Sequence, residues 1–465
     1  MSLVKAWQDL VGGELTPAEA ALIEACLAGR VCIIGEDRSD KPSEDREIRA
    51  PILKALITGD LPDQPTTDIG VRLSGAYISS TLDLSLCRAR GLTGLFDCRF
   101  EDDLLALQAQ FEFLNLSGSY LPKLNAQGAR VSGGVFLKDG FHATGEVRIS
   151  GAEIGGQLVC AGGEFENPKG KALNAQGAQV RDGIFFRNVT VKSGLIYLTA
   201  AHAGSLVDDL KSWPEGRRVI LDGFSYDRIG GAPTDSAARL QWLARGDRWT
   251  DDAGKEHFFP QPYTQLAKTL RNMGHERGAR DVLVARDHKI AAEEWTRAYQ
   301  SLDGTWAKAW ASLGADFRGF INFFSHLFID YGHRPLKALW SLLALWLIAT
   351  MLAHFAWEAG DMVPNSDVIL TSENWAAAHD ADHPAIAWGE TPEGASWETF
   401  NRYAWAADVV IPILDFSQTQ AWTPTTARGW AGYRLWWGKW ALSAAGWIVL
   451  AFAAAGVTGV ARRQD

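Results

Sequence analysis

Alternating apolar residues followed by a pair of small residues recur between positions 71 and 229. The clearest copies, 124–136 and 173–185, read LNAQGARVSGGVF and LNAQGAQVRDGIF, and looser copies lie at 71–78, 114–120 and 147–158. Alternation is typical of β-strands. The small pairs predict sharp corners that recur with the strands. Self-similarity of this kind predicts a solenoid.

The spacing predicts the geometry of that solenoid over residues 63–230. Two units of about ten residues would make one coil of about twenty, which gives seven or eight coils of a parallel β-helix. Right-handed winding is expected for it. In parallel coils like residues stack on like, so the inward positions should form apolar ladders. These positions are Leu82, Leu84, Cys98, Leu114, Leu116, Val135, Leu158, Cys160, Ile184 and Phe186.

Helical segments are predicted on both sides of the solenoid, which needs its open ends covered. Residues 1–62 form the predicted N-terminal cap. Thr16 and Pro17 start one helix, and a second is expected from near Ser43 to Gly59. Residues 231–303 are predicted to form a helical hairpin with its turn at Gly274. This hairpin is interpreted as a C-terminal cap and linker, with a peptide-binding groove as the alternative.

The last third of the chain has the pattern of a membrane domain. Aromatic and apolar residues at helical spacing over 304–333 predict an amphipathic interfacial helix, with a core helix as the alternative. Within 334–465, the stretches 338–357 and 440–460 carry no formal charge over about 20 residues, the length that crosses a bilayer. Both are predicted to be transmembrane helices. The expected membrane-interface residues are Arg334, Lys337, Trp357, Trp436, Trp437 and Trp440.

Charges flanking the first span set the expected orientation. Arg334 and Lys337 precede it, whereas Glu358 follows it, which places both termini in the cytoplasm and the acidic loop 359–435 outside. Arg428, Arg434 and Lys439 before the second span argue the other way. The first 160 residues hold all five cysteines, without paired metal-ligand spacing, in agreement with a reducing compartment. The expected location is the bacterial inner membrane.

Residues 401–416 form a short apolar segment that contains Asp408, Pro412 and Asp415. An intramembrane carboxylate is a functional hypothesis by default, and backbone interrupted by a proline is tolerated in a membrane only where protein or water covers it. One interpretation is therefore an ion or solute path in an oligomer. The other is an interfacial helix packed on the two spans, with both acids facing headgroups or capping helix ends.

Composition and motifs argue against several chemistries. The sequence has no dinucleotide-binding glycine motif between a strand and a helix, no phosphate-binding loop, no HExxH and no GxSxG. No catalytic, metal or cofactor-binding residue is therefore predicted. The net charge of −10 gives no basic footprint for nucleic acid. Residues 71–229 hold equal numbers of acidic and basic side chains, so they do not imitate a phosphate backbone.

The order of these features resembles a known family. The Gly-Ala units, Tyr331-Gly332-His333-Arg334-Pro335, residues 408–415 and the tail Gly456-Val457-Thr458-Gly459 carry the resemblance. They are similar to a bacterial membrane-anchored β-helix family, related to pentapeptide-repeat proteins and commonly labelled "membrane-associated oxidoreductase". The resemblance covers nearly the whole chain. It implies an activity by name but no active-site residues.

Three functions remain after this reading. The first is a membrane-anchored scaffold whose β-helix faces a protein partner or a second copy of the chain in the cytoplasm. The second is an oligomeric channel-like or sensor protein that uses residues 401–416. The third is the oxidoreductase that the family label implies, which no motif supports.

Overall fold

A computed structural model of the chain describes residues 3–60, 69–231, 233–250, 256–300, 323–324, 327–328, 330, 334 and 336–457. They belong to two units, 1–286 and 287–465. Most of the interfacial helix predicted over 304–333 lies outside the described residues.

The repeat region forms a parallel β-solenoid of seven coils, as predicted. Each complete coil contributes short strands to four faces in turn, and paired residues on successive coils lie 20 to 26 positions apart (Leu104 to Leu124, Leu158 to Ile184). The sequence predicts two units of about ten residues in each coil, whereas each complete coil of the structure has four short strands joined by four corners.

The strands are named by face. The first face holds β1 (Cys32–Ile33), β3 (Gly70–Ser74), β6 (Leu92–Phe96), β10 (Phe113–Asn115), β14 (Val135–Phe136), β18 (Gln157–Val159) and β22 (Gly183–Phe186). The second holds β2 (Glu47–Arg49), β4 (Tyr77–Ser79), β7 (Arg99–Phe100), β11 (Tyr120–Leu121), β15 (His142–Ala143), β19 (Glu164–Phe165) and β23 (Thr190–Val191).

The third face holds β5 (Leu82–Asp83), β8 (Leu104–Leu105), β12 (Leu124–Asn125), β16 (Val147–Arg148), β20 (Lys171–Asn174), β24 (Leu195–Tyr197) and β26 (Val219–Ile220). The fourth holds β9 (Gln110–Phe111), β13 (Arg130–Val131), β17 (Glu153–Ile154) and β21 (Gln179–Val180). Finally, β25 (His202–Asp208) and β27 (Ser225–Gly230) run from the fourth face into the first.

The Gly-Ala pairs are corners. Gly128, Gly151 and Gly177 have φ near +65° and turn the chain from the third face to the fourth, a conformation that costs glycine little. The alanine that follows each of them is at most 2% exposed and points into the core. The pair therefore combines a left-handed turn with a side chain small enough for the inside of a corner.

The core holds the ladders that the spacing predicts. All ten positions named as inward are at most 2% exposed. None of the five cysteines forms a disulfide with another described residue. Burial raises the pKa of the Cys98 and Cys160 thiols to about 12, so they remain protonated, apolar core groups near neutral pH.

The N-terminal cap consists of α1 (Leu3–Val11), α2 (Pro17–Leu27) and α3 (Ala50–Thr58). Strands β1 and β2 also pair with β3 and β4, so the cap supplies part of an extra coil. The prediction of a helix from Ser43 is wrong at its start, because residues 47–49 form β2 and the helix begins at Ala50. Ile48 is buried, but as a strand residue on the sheet edge.

A buried carboxylate joins this cap to the sheet. Thr16 and Glu19 form the capping box of α2. The Glu19 carboxylate is fully buried and also accepts the Arg49 guanidinium at 2.6 Å and the Arg49 backbone N–H at 3.0 Å. Burial raises the pKa of Glu19, but the hydrogen bonds from Arg49 and Thr16 outweigh it, so its pKa lies below the ordinary 4.5.

Acidification is expected to loosen the cap. A carboxyl group whose pKa is depressed on folding stabilises the protein above its unfolded pKa, and this stabilisation is lost as the pH falls through the folded value. The protection factors of the α2 amides, which are the intrinsic exchange rates at each pH divided by the measured rates, should therefore decrease as the pH falls below about 4.5. Glu19→Gln should destabilise the cap by about 1–3 kcal/mol at neutral pH and remove this acid response. Exchange that depends on pH equally in both proteins would contradict the assignment.

The C-terminal end of the solenoid is covered by helices. These are α4 (Ser236–Leu243), α5 (Gln261–Asn272) and α6 (Glu276–Gln300), with the antiparallel pair β28 (Arg248–Thr250) and β29 (Glu256–Phe258) before α5. Helix α5 packs along β27, where Gln265 and Thr269 both donate to the carbonyl oxygen of Tyr226. The predicted hairpin around Gly274 is thus present and covers the last coil.

The second unit contains two long apolar helices, α7 (Lys337–Glu358) and α14 (Trp430–Val457). Both are long and apolar enough to cross a membrane, with mean hydropathies of 1.8 and 1.4. Between them lie α8 (Asp367–Leu370), α9 (Glu373–Ala378), α10 (Pro384–Gly389), α11 (Pro392–Ala395), α12 (Arg402–Val410), α13 (Gln418–Ala421), and the pair β30 (Met362–Pro364) and β31 (Trp422–Pro424). The second helix begins ten residues before the predicted span.

Candidate functional site

The segment 401–416 contains a helix that packs on both apolar helices. Asn401 caps α12 by accepting the backbone N–H groups of Tyr403 and Ala404. Helix α12 lies against α7 and α14. It packs closely on α14 at Gly446, where an added Cβ would lie 1.9 Å from the carbonyl oxygen of Val410. This is the packing expected of the second interpretation, a helix supported by the two spans.

Asp408 is engaged by backbone donors. It lies in the last turn of α12 and is half-buried. Its Oδ1 accepts the Phe416 N–H at 2.7 Å, and its Oδ2 accepts the N–H groups of Gln418 at 2.8 Å and Thr419 at 3.3 Å. The carboxylate therefore closes the turn after the helix and caps the start of α13.

Pro412 and Asp415 lie in that turn. Pro412 follows the last residues of α12 and is half-buried, and the turn continues through exposed residues to Asp415. Asp415 accepts the Ser417 N–H at 2.8 Å and the Gln420 side-chain amide at 3.1 Å. The three sequence-predicted residues thus belong to one turn, in which only Asp408 has a half-buried carboxylate.

Replacing the two acids should have unequal effects. Asp408→Asn leaves one oxygen to serve three backbone donors, so we expect a local loss of about 1–3 kcal/mol. Asp415→Asn should cost under about 1 kcal/mol, because its two donors are exposed to water. Hydrogen exchange of the peptide 411–421 measures both. Equal protection in the two variants would mean that Asp408 does not hold the turn.

A polar cavity of about 680 Å³ lies beside the start of α12. Residues from the end of α7 and from 398–418 line it, namely His354, Trp357, Glu358, Glu398, Thr399, Phe400, Asn401, Arg402, Tyr403, Ala404, Phe416 and Gln418. Gln418 organises its wall: the side-chain amide donates to Glu398 and Thr399 and accepts the Asn401 N–H at 2.8 Å.

Arg402 reaches across this cavity to α7. Its Nη1 donates to Nδ1 of His354 at 2.9 Å, while Glu358 Oε1 lies 3.6 Å from the same nitrogen. An Nδ1 that accepts from arginine leaves Nε2 as the protonated nitrogen. The guanidinium also lies 5.1 Å from the centre of the Tyr403 ring. The cluster combines one cation with two acids and has no nucleophile beside a base.

The tryptophans expected at the membrane interface differ in their surroundings: one packs on the loop after α7, and the others lie on α14. Trp357 stacks on Phe400 at 4.5 Å and meets Trp422 edge-on at 5.3 Å, so it fastens the loop to the end of α7. Trp437 and Trp440 are 58% and 62% exposed on α14, and Trp436 meets Trp437 edge-on.

The two basic residues expected at the membrane interface near the start of α7 lie close to an acid. Lys337 and Arg334 lie 3.0 and 3.8 Å from the carboxylate of Asp330.

The fourth face of the solenoid carries an open groove of about 630 Å³. Its lining comes from successive coils and consists of Arg130, Val131, Ser132, Glu153, Ile154, Gly155, Gln179, Val180, Arg181, His202 and Asp227. Gly155 lets two successive coils pack closely here, since a Cβ there would lie 2.2 Å from the carbonyl oxygen of Ser132. Arg130 and Glu153 pair at 3.2 Å, and His202 Nδ1 lies 3.0 Å from Ser225 Oγ. We name this surface the fourth-face groove.

Two groove charges have no partner within the described parts of the chain. The side chains of Arg181 and Asp227 are exposed and make no hydrogen bond or ion pair with any described residue. Charges of both signs along a regular groove are complementary to a polypeptide partner that carries both acidic and basic side chains.

Sequence reasoning missed several residues that build these sites. Asp361 is 1% exposed, and its Oδ2 accepts the Gly432 N–H at 2.8 Å, which joins the end of α7 to the start of α14. Gln418 and Arg402 are equally central to the polar cavity. An acid directly after Gly360, which follows the apolar stretch of α7, is the sequence signal that could have identified Asp361. No comparable signal marks Gln418 or Arg402.

Comparison of the chain with protein-family models, with curated proteins and with solved structures gives no match. The resemblance to membrane-anchored β-helix proteins therefore rests on the motifs of this sequence and stays a prediction.

Proposed function

We propose that this protein is a membrane-anchored platform whose β-solenoid binds a protein partner, or a second copy of the chain, through the fourth-face groove. The observation that supports this most directly is the groove itself: a regular surface across successive coils that holds unpaired charges of both signs. Nothing among the described residues favours the channel or the oxidoreductase, so neither is proposed.

The anchor in this proposal is the pair α7 and α14. Large apolar side chains point outward along both helices, with Leu339, Trp340 and Leu347 53–73% exposed on α7 and Trp447 59% exposed on α14. Such side chains are stable facing lipid but costly facing water. The proposed location is the inner membrane, with both termini in the cytoplasm and the loop 359–435 outside.

Site-specific photocrosslinking tests the platform. A photoreactive amino acid at Gln179, in the groove, should give a discrete adduct in native membranes, whereas the same residue at Thr190 should not. Both positions are exposed, and they lie on opposite faces of the solenoid. Arg181→Glu should reduce the Gln179 adduct at least several-fold. The adduct mass distinguishes a second copy from another protein.

Two results would contradict the proposed platform function. One is the absence of any adduct from Gln179 in native membranes. The other is equal yields from Gln179 and Thr190, which would indicate random collisions.

Cysteine labelling tests the orientation. Ala377→Cys, on the exposed side of α9, should react with a membrane-impermeant maleimide in intact cells. Gln179→Cys should react only after lysis. If both cysteines react before lysis, the two positions are not on opposite sides of the membrane and the proposed topology is wrong. If only Gln179→Cys reacts before lysis, the orientation is the reverse of the one proposed.

A further inference from the structure

The second face of the solenoid brings an imidazole and two carboxylates together. His142 in β15 and Glu164 in β19 are register partners on adjacent coils, so their side chains stack at the interstrand spacing of about 4.8 Å. Glu166 follows two residues after Glu164, which places it on the same outward side by strand alternation.

The ligand-type atoms of these residues converge. One such atom from each of His142, Glu164 and Glu166 lies within 4.8 Å of the other two. His142 Nε2 is 3.4 Å from Glu164 Oε1. Both atoms are shielded from solvent. Glu164 Oε1 already pairs with a cation, the ammonium of Lys192, whereas His142 Nε2 has no hydrogen bond of acceptable geometry to a described residue. A shielded imidazole nitrogen left without a partner, beside a carboxylate oxygen that holds a cation, favours a metal ion at this position.

The surrounding cations are held by other groups, with one exception. Arg99 lies 3.6 Å from Asp40 and over the Tyr120 ring, and Arg38 donates to the carbonyl oxygen of Gly118. Among the described cationic side chains, Lys192 alone contacts the site, where its ammonium pairs with Glu164. Its side chain is half exposed, so it can swing into water.

We propose that His142, Glu164 and Glu166 bind one divalent transition-metal ion, which displaces the Lys192 ammonium and joins two adjacent coils of the second face. One imidazole nitrogen and two carboxylate oxygens form a ligand set that Zn²⁺ and its neighbours accept. Three protein ligands leave a position for water. The site lies on the face opposite the fourth-face groove, so it does not depend on the proposed function.

Calorimetry with Zn²⁺ tests the site in full-length detergent-solubilised protein that has first been treated with a chelator. We expect one tight site per chain. His142→Ala and Glu164→Gln should each weaken it at least tenfold. Lys192→Met should tighten it several-fold, because it removes the competitor for Glu164. Glu112→Gln, which changes an exposed acid outside both this site and the fourth-face groove, is the matched control and should leave the affinity unchanged.

Circular dichroism of each variant separates loss of a ligand from loss of the fold. The proposal is overturned if the wild-type chain binds no Zn²⁺, or if folded His142→Ala and Glu164→Gln proteins keep wild-type affinity. Affinity that does not rise in Lys192→Met would overturn the displacement of the ammonium by the metal.

Discussion

Arg239→Ala should destabilise the solenoid unit by about 3–5 kcal/mol, because it leaves a buried charge without its counter-ion. The side chains of Arg239 and Asp208 are both fully buried and pair at 2.8 and 2.9 Å. Trp213 Nε1 donates to the same carboxylate at 2.7 Å, and Arg239 Nε donates to the Pro233 carbonyl oxygen. The pair joins the last complete coil to α4, so its loss should open the C-terminal cap.

Urea unfolding in detergent, followed by proteolysis of the unfolded fraction, measures this loss. Arg130→Ala is the matched control: Arg130 pairs with Glu153 at 3.2 Å, but both side chains are more than 60% exposed. That variant should lose at most about 1 kcal/mol.

The double variant Asp208→Asn with Arg239→Met should recover much of the stability. It removes both charges and keeps an acceptor for Trp213. Equal midpoints for Arg239→Ala and Arg130→Ala would refute a structural role for the buried pair.

The solenoid could be predicted because its signals are local and repeated. In LNAQGA the apolar positions alternate, and the Gly-Ala pair marks a corner, so each copy reports the same geometry. The division of each coil into four faces could not be predicted from these local signals. Most strands are two residues long, too short to show a period, and the corners at Gln108 and Ala200 use positive φ without glycine.

The candidate sites depend on contacts that sequence spacing does not reveal. The sequence marks Asp408 as a carboxylate in an apolar segment, but its partners follow eight to eleven residues later, after the chain has turned beyond Pro412. Asp208 and Arg239 are 31 positions apart on different elements. His142 and Glu164 meet only because the coil between them is 22 residues long, a length that the degenerate repeat leaves open.

Two arginines in the middle of α7 should abolish its insertion. Leu343 and Leu347 lie one turn apart on one side of the helix and are 41% and 53% exposed. Each arginine near the centre of a membrane span costs about 2.5–3.5 kcal/mol on the insertion scale, so Leu343→Arg with Leu347→Arg should cost about 5–7 kcal/mol. In the Ala377→Cys background, labelling by the impermeant maleimide in intact cells should be lost.

Two controls separate insertion from folding. Leu343→Ile with Leu347→Ile keeps the helix apolar and should label as the parent does. Leu86→Arg places the same charge on a 76% exposed leucine of the solenoid and should also leave labelling unchanged. If α7 were a surface helix in water, both arginines would be tolerated, because a charge on an exposed position costs little there. Undiminished labelling of the double arginine variant would therefore rule out α7 as a span, and the loop 359–435 would need another route to the outside.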